Sequence, residues 1–380
     1  MHSPKKILFA SVHPWDTQFL RAGDHHYAEL FAREGYEVCW ISNHVSLPHF
    51  IRKHYYSWIQ SALKGAHTTR SVLSYTPFTL LPFVRIPPFN SVWVGKHHLR
   101  FAIPPLHTFL KSHGFHEVDI LVMSNVSLFY LSHAVAWKKF ALRITDDLAG
   151  IPAAQNMLSL QESLIQKADS VFVTSRELMK YNPRHQKNFR YLPNAVDLDH
   201  FKGARSLPAE YATIPSPRVL YVGSLFEGVD RVDLNLISVL ARTLPSYNFV
   251  FVGPTSISLS HIKKQHNIHI LGPRRYEDIP AYMKHADVAI IPFKENILTK
   301  AMSAMKLFQY LAAGLPVVSS RMQELAAMNP PVSFATGYKE FAAAIENAYR
   351  GGKDYPEFFA FAEKNSWADR YKSMKEALGI

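Results

Sequence analysis

The sequence has a single cysteine, Cys39, and it has no long uninterrupted apolar run. One cysteine excludes a disulfide within the chain and a metal site built from several cysteines, and it suits a reducing compartment. Because Cys39 lies inside the apolar run YEVCWIS, it is expected to be a small buried core residue. No stretch approaches the roughly 18 apolar residues that mark a membrane-spanning helix. The N-terminal KKILFASV is followed by no small-residue cleavage pattern and is expected to be a first strand.

The composition indicates a compact protein with a basic surface. Hydrophobic residues make up 48% and charged residues 19% of the 380 residues, which is ordinary for a globular chain. A chain of this length predicts two domains of about 150 to 200 residues each. The 42 Lys and Arg against 30 Asp and Glu give a net charge of +12. Such a surface favours an anionic partner, which is a nucleic acid, a nucleotide substrate or an acidic membrane face.

Short apolar runs alternate with segments of helical character along the whole chain. Continuous apolar runs suit strands that are buried on both faces, and their alternation with helices predicts parallel sheets built from βαβ units. The runs are KILFASV, YEVCWIS, DILVMSN, FALRITD, SVFVTS and NFRYLPN, followed by RVLYVGS, NFVFVGP, IHILGP, ADVAIIPF and PVVSS.

The series of runs breaks at residues 197–218, a polar stretch with three prolines and no periodicity. The predicted fold class is therefore α/β with two Rossmann-like parallel-sheet domains that face a central cleft. The predicted divisions are an N-terminal acceptor-binding domain over 1–200, a linker over 201–217, a nucleotide-binding domain over 218–365, and a C-terminal helix over 366–380. We expect this helix to cross back to the first domain, with Trp367 as its anchor.

Residues 46–101 do not follow the alternating pattern. The segment is crowded with aromatic, basic and proline residues, and its prolines argue against a long helix in its second half. Two interpretations stay open. The segment is either an insertion that packs on its own domain, or a surface for a membrane interface or a lipid-linked ligand.

Two stretches of the second domain indicate an anion site. In YVGSLFEGVD, residues 221–230, Gly223 lets backbone amides approach a pyrophosphate closely and Ser224 can donate a hydroxyl. In AMSAMKLFQYLAAGLPVVSS, a helix is predicted over 302–313. Lys306 lies in its N-terminal half, where its ammonium adds to the positive end of the helix dipole and would favour a phosphate.

The alternative for the same helix is structural: Lys306 extends to solvent and Gln309 bonds an internal carbonyl. The order of strand ADVAIIPF, polar loop KENILTKA and helix start favours the ligand interpretation, because this order places the helix N-terminus at the carboxyl edge of the sheet.

In the first domain, FALRITDDLAG ends a predicted strand with two adjacent carboxylates, Asp146 and Asp147. Successive strand residues face opposite ways, so we expect one to act as general base and the other to cap the following helix. Near the end of the first strand, His13, Asp16, His25 and His26 could bind sugar hydroxyls or a metal, although their spacing matches no strong zinc pattern. Asp24 is a candidate N-cap for a helix that stops at Gly35.

Taken together, these stretches resemble glycosyltransferases of the two-Rossmann-domain class, GT-B. The resemblance rests on KKILFASVHPWD, GDHHYAELFAREGYEVCWIS, YVGSL, GPRRYEDIPAYMKHADVAIIPF and KLFQYLAAGLPVVSS. It implies donor contacts at Gly223, Ser224 and Lys306, with Tyr276 near the base or the phosphates. Many retaining members carry two glutamates with seven residues between them. This chain has Ala301 and Gln309 at those two places, which favours an inverting reaction.

Within that class the sequence is similar to the bacterial xanthan-type β-1,2-glucuronosyltransferases. This resemblance implies Met305, Lys306 and Gln309 at the donor, and Asp146 as base with Asp147 as fallback. It implies UDP-glucuronate as donor and a lipid-linked oligosaccharide as acceptor, rather than nucleic acid, with no metal or other cofactor. It also implies exopolysaccharide synthesis at the inner face of the cytoplasmic membrane.

Alternatives remain open at this point. The donor could be UDP-glucose or GDP-mannose, and the protein could be a nucleotide-sugar epimerase or a non-catalytic two-lobed binding protein.

Overall fold

The computed structural model of the chain describes residues 4–51, 55–84, 87–182, 188–225, 231–255 and 265–380. The chain forms two compact units. The first unit is Met1–Pro193 together with Tyr371–Ile380, and the second is Asn194–Arg370. No helix in the described part of the chain is both long enough and apolar enough to cross a bilayer.

The first unit is built on a sheet that has eight strands among the described residues, in the order β10-β9-β8-β7-β1-β2-β4-β3. All of its neighbouring pairs are parallel except β3 with β4. β5 and β6 form a separate antiparallel pair. The strands are β1 Lys6–Ala10, β2 Glu37–Ile41, β3 His67–Thr69, β4 Val72–Tyr75, β5 Phe78–Thr79, β6 Ala102–Ile103, β7 Glu117–Met123, β8 Ala136–Ile144, β9 Ser170–Val173 and β10 Phe189–Tyr191.

The second unit is built on an all-parallel sheet, six strands wide where the chain is described, in the order β13-β12-β11-β14-β15-β16. These strands are β11 Arg218–Val222, β12 Asn248–Val252, β13 Ile268–Gly272, β14 Val288–Ile291, β15 Val317–Ser320 and β16 Ser333–Ala335. Every one of the eleven apolar runs forms a strand, which confirms the α/β prediction. β3, β4, β5, β6 and β16 were not predicted.

Helices connect the strands of both sheets. Those of the first unit are α1 Gly23–Arg33, α2 Tyr56–Lys64, α3 Val92–His97, α4 Leu106–Ser112, α5 Leu131–Ala134 and α6 Leu158–Lys167. Those that follow are α7 Leu198–Phe201, α8 Leu234–Thr243, α9 Ile279–Lys284, α10 Ile297–Lys300, α11 Met305–Ala312, α12 Gln323–Ala326, α13 Gly337–Gly351, α14 Pro356–Glu363 and α15 Trp367–Leu378.

Two local predictions about α1 have different outcomes. Gly35, with φ of +86°, follows the end of the helix as predicted. The N-cap prediction for Asp24 is wrong, because the helix begins at Gly23 with Ala22 as N-cap. The Asp24 carboxylate is buried and bonds to side chains of the sheet instead of to the helix amides. Cys39 is buried in β2, as predicted.

The segment 46–101 contributes to the main sheet of the first unit. β4 pairs in parallel with β2, and Ser42 and Ser61 both hydrogen-bond to Thr76 at 2.6 and 2.7 Å. The segment is therefore part of this unit's core structure at one end. Its other end carries exposed apolar side chains.

α15 continues from the second unit into the residues of the first. Trp367 is buried, and its amide donates to the Val196 carbonyl at 3.1 Å. Four residues later Tyr371 packs edge-on against Phe31, with ring centroids 4.8 Å apart. Lys375 pairs with Glu34 at 2.7 Å.

The carboxyl ends of β11, β12 and β13 are joined through glycines. Gly223 donates to the Val252 carbonyl, and Gly253 donates to the Gly272 carbonyl, both at 2.9 Å. Gly253 has φ of +147°, and a Cβ there would lie 2.2 Å from the Gly223 carbonyl oxygen. Only glycine fits at this close approach.

We expect Gly253→Ala to lower the free energy of unfolding of the second unit by about 3 kcal/mol, because the new methyl group must displace backbone as well as adopt a positive φ. Gly272→Ala is the matched control, since its φ is +75° but no atom lies within 4 Å of its Cβ position. That control should cost only about 1 to 2 kcal/mol. Chemical denaturation of the two variants measures the difference, and equal losses would contradict the predicted backbone clash.

Candidate functional site

In the second unit, the Lys306 ammonium lies directly against the Gly223 turn. A Cβ at Gly223 would be 2.9 Å from the Lys306 Nζ and 2.9 Å from the Tyr221 hydroxyl. The sequence predicted donor contacts at Gly223 and Lys306 separately, and the structure brings the two together at the carboxyl end of β11. The rest of the predicted turn, residues 226–230, lies outside the described residues.

Lys306 has an aromatic environment. Its Nζ lies 4.4 Å from the Tyr221 ring centroid and 4.5 Å from that of Phe293, and it donates to the Tyr221 hydroxyl at 3.2 Å. Within the described ranges, no carboxylate forms an ion pair with it. Burial, together with the nearby positive charge of Arg231, lowers the pKa of Lys306 to about 7. A bound anion would supply the negative charge that this cation lacks.

Arg231 is a cation at this site that sequence reasoning missed. The backbone of residues 231–233 runs antiparallel to that of residues 292–294, with Lys294 donating to the Arg231 carbonyl and Asp233 donating to the Pro292 carbonyl, both at 2.8 Å. This pairing holds the segment of Arg231 against the segment of Phe293, although the two are far apart in the sequence. The only local signal was a basic residue shortly after the glycine turn.

The N-terminus of α11 adds to the positive potential. Its N-cap is Ala304, which offers no side-chain hydrogen bond, and no acidic residue lies in the first turn. Asn194 holds the preceding turn by donating its side-chain amide to the Ser303 carbonyl at 2.7 Å. A helix that starts without a cap leaves amide donors and a positive dipole end for a ligand. Lys306, second in this helix, lies at that end.

The other residues of α11 differ in their contacts. The buried Tyr310 hydroxyl accepts from the Val222 amide at 2.8 Å, so it fixes α11 against β11. Met305 and Gln309 are partly buried and share the next face of the helix. The Gln309 side-chain amide has no hydrogen bond with any residue the structure describes, so it has donors and an acceptor to offer a ligand.

Ser224 and Tyr276 have different surroundings. Ser224 follows Gly223 and is partly buried. Tyr276 is buried in the core of the second unit, where its ring stacks on His200 with centroids 4.2 Å apart. The His200 Nε2 also donates to the Tyr276 carbonyl at 3.0 Å. These contacts give Tyr276 a packing role, and its predicted position near a base or phosphate stays a prediction.

In the first unit, Asp147 is the structural member of the carboxylate pair. It is fully buried and accepts hydrogen bonds from Ala149 N at 3.0 Å, the Tyr181 hydroxyl at 2.6 Å and the Lys180 ammonium. Burial raises its pKa, but these donors outweigh burial and hold the pKa below its usual value. Asp147 caps the short 3-10 helix Leu148–Gly150, so the predicted capping residue of the pair is Asp147.

Asp146 differs from its neighbour in exposure. It is partly exposed at the carboxyl end of β8, and the Thr145 hydroxyl donates to its Oδ2 at 3.1 Å. Thr145 is itself held by Thr174, whose hydroxyl donates to the Thr145 carbonyl at 3.1 Å. Asp146 is therefore the more accessible carboxylate of the pair.

His13 lies close to Asp146. Burial lowers the pKa of His13 to about 4, while the negative charges of Asp24 and Asp146 act in the opposite direction. Its backbone is fixed by the Trp40 indole, which donates to the His13 carbonyl at 2.9 Å, and its ring lies 5.4 Å from that of Trp58. The imidazole is therefore neutral at pH 7 and can exchange hydrogen bonds with a hydroxyl.

The other predicted acceptor residues have partners in the protein. The His25 Nδ1 accepts from the Ala22 amide at 3.2 Å and its Nε2 donates to the Pro14 carbonyl at 3.1 Å. The Asp16 carboxylate pairs with Lys64 and lies 3.5 Å from the His67 Nε2. His26 is buried in α1. The structure thus brings His13 to Asp146 and assigns structural contacts to His25 and Asp16.

A buried ion pair that was not predicted supports this edge of the first sheet. Arg143 of β8 donates to the Asp24 Oδ1, and Ser11 and Ser124 donate to the Asp24 Oδ2. The network joins α1 to the ends of β1 and β7. Its one sequence signal was an arginine inside the apolar run FALRI. In the described part of the chain, no group of three His, Cys, Asp or Glu side chains is arranged to hold a metal.

The two adjacent carboxylates should differ in their effect on stability. Asp147→Asn should lower the free energy of unfolding of the first unit by about 2 kcal/mol at pH 7, because it breaks a buried pair whose lysine is partly solvated. Asp146→Asn is the matched control and should change it by no more than about 0.5 kcal/mol.

The pH dependence of the same experiment has a definite sign. Since the pKa of Asp147 in the folded protein is below the usual value of an aspartate, its stabilising effect is present above about pH 4 and is lost as the pH falls through the folded-state pKa. Urea unfolding from pH 7 downward measures this. Equal stability of the two variants at pH 7 would show that Asp147 is not the structural carboxylate.

Comparison with known proteins is consistent with this architecture. Residues 216–350 match the family model described as Glycosyl transferases group 1. The sequence is 25% identical over 239 residues to TuaH of Bacillus subtilis (strain 168), a provisionally named teichuronic acid biosynthesis glycosyltransferase. That alignment covers 58% of this chain and 59% of TuaH, so the chain spans less than two thirds of this relative.

Two solved structures share the fold over nearly their whole length. Sucrose-phosphate synthase from Thermosynechococcus elongatus is 14% identical, with a TM-score of 0.69 and 98% of each chain covered. Anabaena HepE in complex with UDP and glucose is 12% identical, with a TM-score of 0.68 and 99% of each chain covered. The chain therefore has a GT-B-type α/β fold and carries a group 1 glycosyltransferase domain in its second unit, which confirms the predicted fold and, at the level of this domain, the predicted glycosyltransferase.

Proposed function

We propose that the protein is an inverting, metal-independent glycosyltransferase that moves a sugar from a UDP-sugar to a hydroxyl of a lipid-linked oligosaccharide. UDP-glucuronate is the proposed donor, and exopolysaccharide synthesis at the inner face of the cytoplasmic membrane is the proposed context. The observation that carries the proposal is the Lys306 ammonium, which lies against the Gly223 turn and forms no ion pair with a carboxylate among the residues that the structure describes. It lies inside the region that matches the glycosyltransferase family model.

The donor side of the reaction is assigned to the second unit. A diphosphate placed at the Gly223 turn would meet the Lys306 ammonium, the Arg231 charge and the uncapped start of α11. Gln309 and Met305 would contact the nucleoside or the sugar from the adjoining face of the helix. HepE in complex with UDP and glucose, and TuaH through its name, support sugar transfer from a nucleotide donor.

The chemical step is assigned to Asp146. Its carboxylate would take the proton of the acceptor hydroxyl as that oxygen attacks the anomeric carbon, while the bond to the leaving diphosphate breaks. One displacement inverts the anomeric centre. Asp147 is less suitable as base, because three donors already occupy its oxygens. The neutral His13 would orient the acceptor hydroxyl beside Asp146.

The leaving diphosphate carries the charge that most needs stabilisation. Lys306, Arg231 and the helix dipole are positive groups fixed in advance of the reaction, which is the arrangement that stabilises a developing anion most effectively. This supports transfer without a metal. The neutral Gln309 and the buried Ala301, in the places where many retaining relatives keep glutamates, support inversion.

Binding of UDP should weaken as the pH rises from 7 to 9. Above its pKa of about 7, Lys306 is neutral in the free protein, so binding the diphosphate must be accompanied by proton uptake. The loss should approach about tenfold per pH unit. Lys306→Met should bind UDP more weakly at pH 7 and show no such slope.

Titration calorimetry in buffers of different ionisation enthalpy measures both the affinity and the proton uptake. Lys300→Met is the matched control, since Lys300 is exposed and lies 3.5 Å from Glu295. A slope that persists in Lys306→Met would assign the pH dependence to another group.

The donor class and the chemistry are tested together. Among UDP, GDP, ADP and TDP, we expect UDP to raise the melting temperature most, because a ligand that binds the folded state stabilises it to a degree that increases with its affinity.

The chemical step is tested with the same ligand. Asp146→Asn should keep the shift in melting temperature with UDP but lose about a thousandfold or more in turnover, and EDTA should leave wild-type transfer unchanged. NMR of the product should show an inverted anomeric centre. A retained configuration, or loss of transfer with EDTA, would contradict the proposed mechanism.

A further inference from the structure

Seventy-nine consecutive residues, 38–116, contain no aspartate or glutamate. The same stretch holds eight Lys and Arg and nine of the 20 histidines. It therefore carries +8 of the net charge of +12 in about a fifth of the chain. Mixed surfaces normally intersperse both signs, so a stretch of one sign presents a sustained positive potential.

The same stretch also carries most of the exposed apolar side chains of the first unit. Leu47, the first residue of a short 3-10 helix, is 66% exposed, and Ile51, which follows that helix, is 86% exposed. Leu80 is 58% exposed. Phe50, Phe101 and Ile103 are each about half exposed. We call these six residues, Leu47, Phe50, Ile51, Leu80, Phe101 and Ile103, the apolar patch.

The members of the apolar patch are connected in space. The Phe50 ring lies 6.2 Å from that of Phe78, and Phe78 pairs with Ile103 across β5 and β6. The Leu80 amide donates to the Phe101 carbonyl at 3.1 Å. Side chains that are exposed singly need no explanation, but a connected group of this kind marks an interaction surface.

Two exposed cations, Arg100 and Lys111, lie near members of the apolar patch along the chain. Arg100 directly precedes Phe101, and Lys111 lies at the end of the helix that follows β6. Both are exposed, and neither forms an ion pair with a residue in the described ranges. Asp16, an acidic residue outside the 38–116 stretch, pairs with Lys64 of α2. Exposed apolar side chains in the same stretch as exposed cations match a bilayer surface, which has an anionic face and an apolar interior.

We propose that the apolar patch, with Arg100 and Lys111, docks the first unit onto an anionic lipid bilayer. The cations attract the phosphate headgroups, and the patch enters the boundary between headgroups and acyl chains. Docking at a bilayer would bring the first unit to the lipid-linked acceptor, and this part of the proposal rests on the proposed function. Lipid binding itself does not, because it is measured without donor or acceptor.

The purified full chain is mixed with vesicles of phosphatidylcholine alone, or with about 30% phosphatidylglycerol, and sedimented. We expect binding to the anionic vesicles, weakened by added salt, and little binding to the neutral ones. The double variant Arg100→Glu and Lys111→Glu should lose at least about tenfold in affinity, since each cation near such a surface contributes about fivefold.

The apolar contribution is tested separately. Ile51→Ser and Leu80→Ser remove apolar contact without adding charge, and each should weaken binding severalfold, with the larger relative effect at high salt. Leu207→Ser and Lys339→Glu are matched controls, because both residues are exposed in the second unit and lie outside the patch. All variants should keep the wild-type response to UDP, which shows that the second unit is folded.

Four outcomes would overturn the docking proposal. These are no binding to anionic vesicles, equal binding to neutral ones, equal losses in the controls, or patch variants that change only self-association in sedimentation velocity. The last result would identify a second copy of the chain as the occupant. None of these outcomes affects the proposed reaction, whereas failure of UDP binding with vesicle binding intact would overturn the reaction alone.

Discussion

The Lys306 ammonium is the charge around which the carboxyl edge of the second sheet is arranged. The Tyr310 hydroxyl accepts the Val222 amide and so fixes α11 against β11, which holds the ammonium against Gly223 and the Tyr221 ring. A partly buried cation near the positive end of a helix destabilises the empty protein when, as among the described residues here, no carboxylate pairs with it. An anion bound at this edge would remove the unfavourable electrostatic free energy of the empty site, and this gain would add to the affinity for a diphosphate.

At the corresponding edge of the first sheet, the buried cation is paired with a carboxylate of the protein itself. There the buried Arg143 is neutralised within the protein by Asp24, and two serine hydroxyls fill the remaining positions on that carboxylate. With its internal charges paired, this edge leaves a neutral imidazole, His13, and one partly exposed carboxylate, Asp146. An edge with paired charges suits a neutral sugar hydroxyl, while the open positive charge of the second unit suits a phosphate. The difference in pairing, more than the fold that both units share, separates their proposed roles.

Most of the fold could be predicted because parallel strands buried on both faces appear in sequence as continuous apolar runs. The strands that were not predicted are short or lie at an edge of the sheet, where a strand does not need a continuous apolar run. His67–Thr69 is polar and antiparallel at one edge, and Ser333–Ala335 is three residues long at another. Gly223 and Lys306 could be predicted because strand, turn and helix follow one another locally in the chain.

Arg231 and the Arg143–Asp24 pair could not be predicted, since they depend on contacts between distant segments. Arg143 and Asp24 are 119 residues apart, and no local spacing connects them. The same reasoning explains the outcome at the histidines. His25 and His26 look alike in sequence, yet the contacts of the His25 ring with Trp15 and Trp40 are set by the packing of the first unit. Spacing along the chain shows which residues share an element, and only tertiary packing decides which of them keep a hydrogen-bonding atom for a ligand.

The net charge by itself does not identify the partner of this protein. A total of +12 is equally compatible with nucleic acid, nucleotide or lipid as partner, because the sum carries no information about position. Position separates two kinds of positive charge in this protein. Lys306 and Arg231 are few, partly screened from water and fixed, so their attraction is short in range and depends on shape. The cations of residues 38–116 are many, and most of those that the structure describes are exposed. They therefore act over about a Debye length and suit an extended anionic surface rather than a small ligand. The excess of basic residues is therefore not one property of the chain but two, and each selects a different anion.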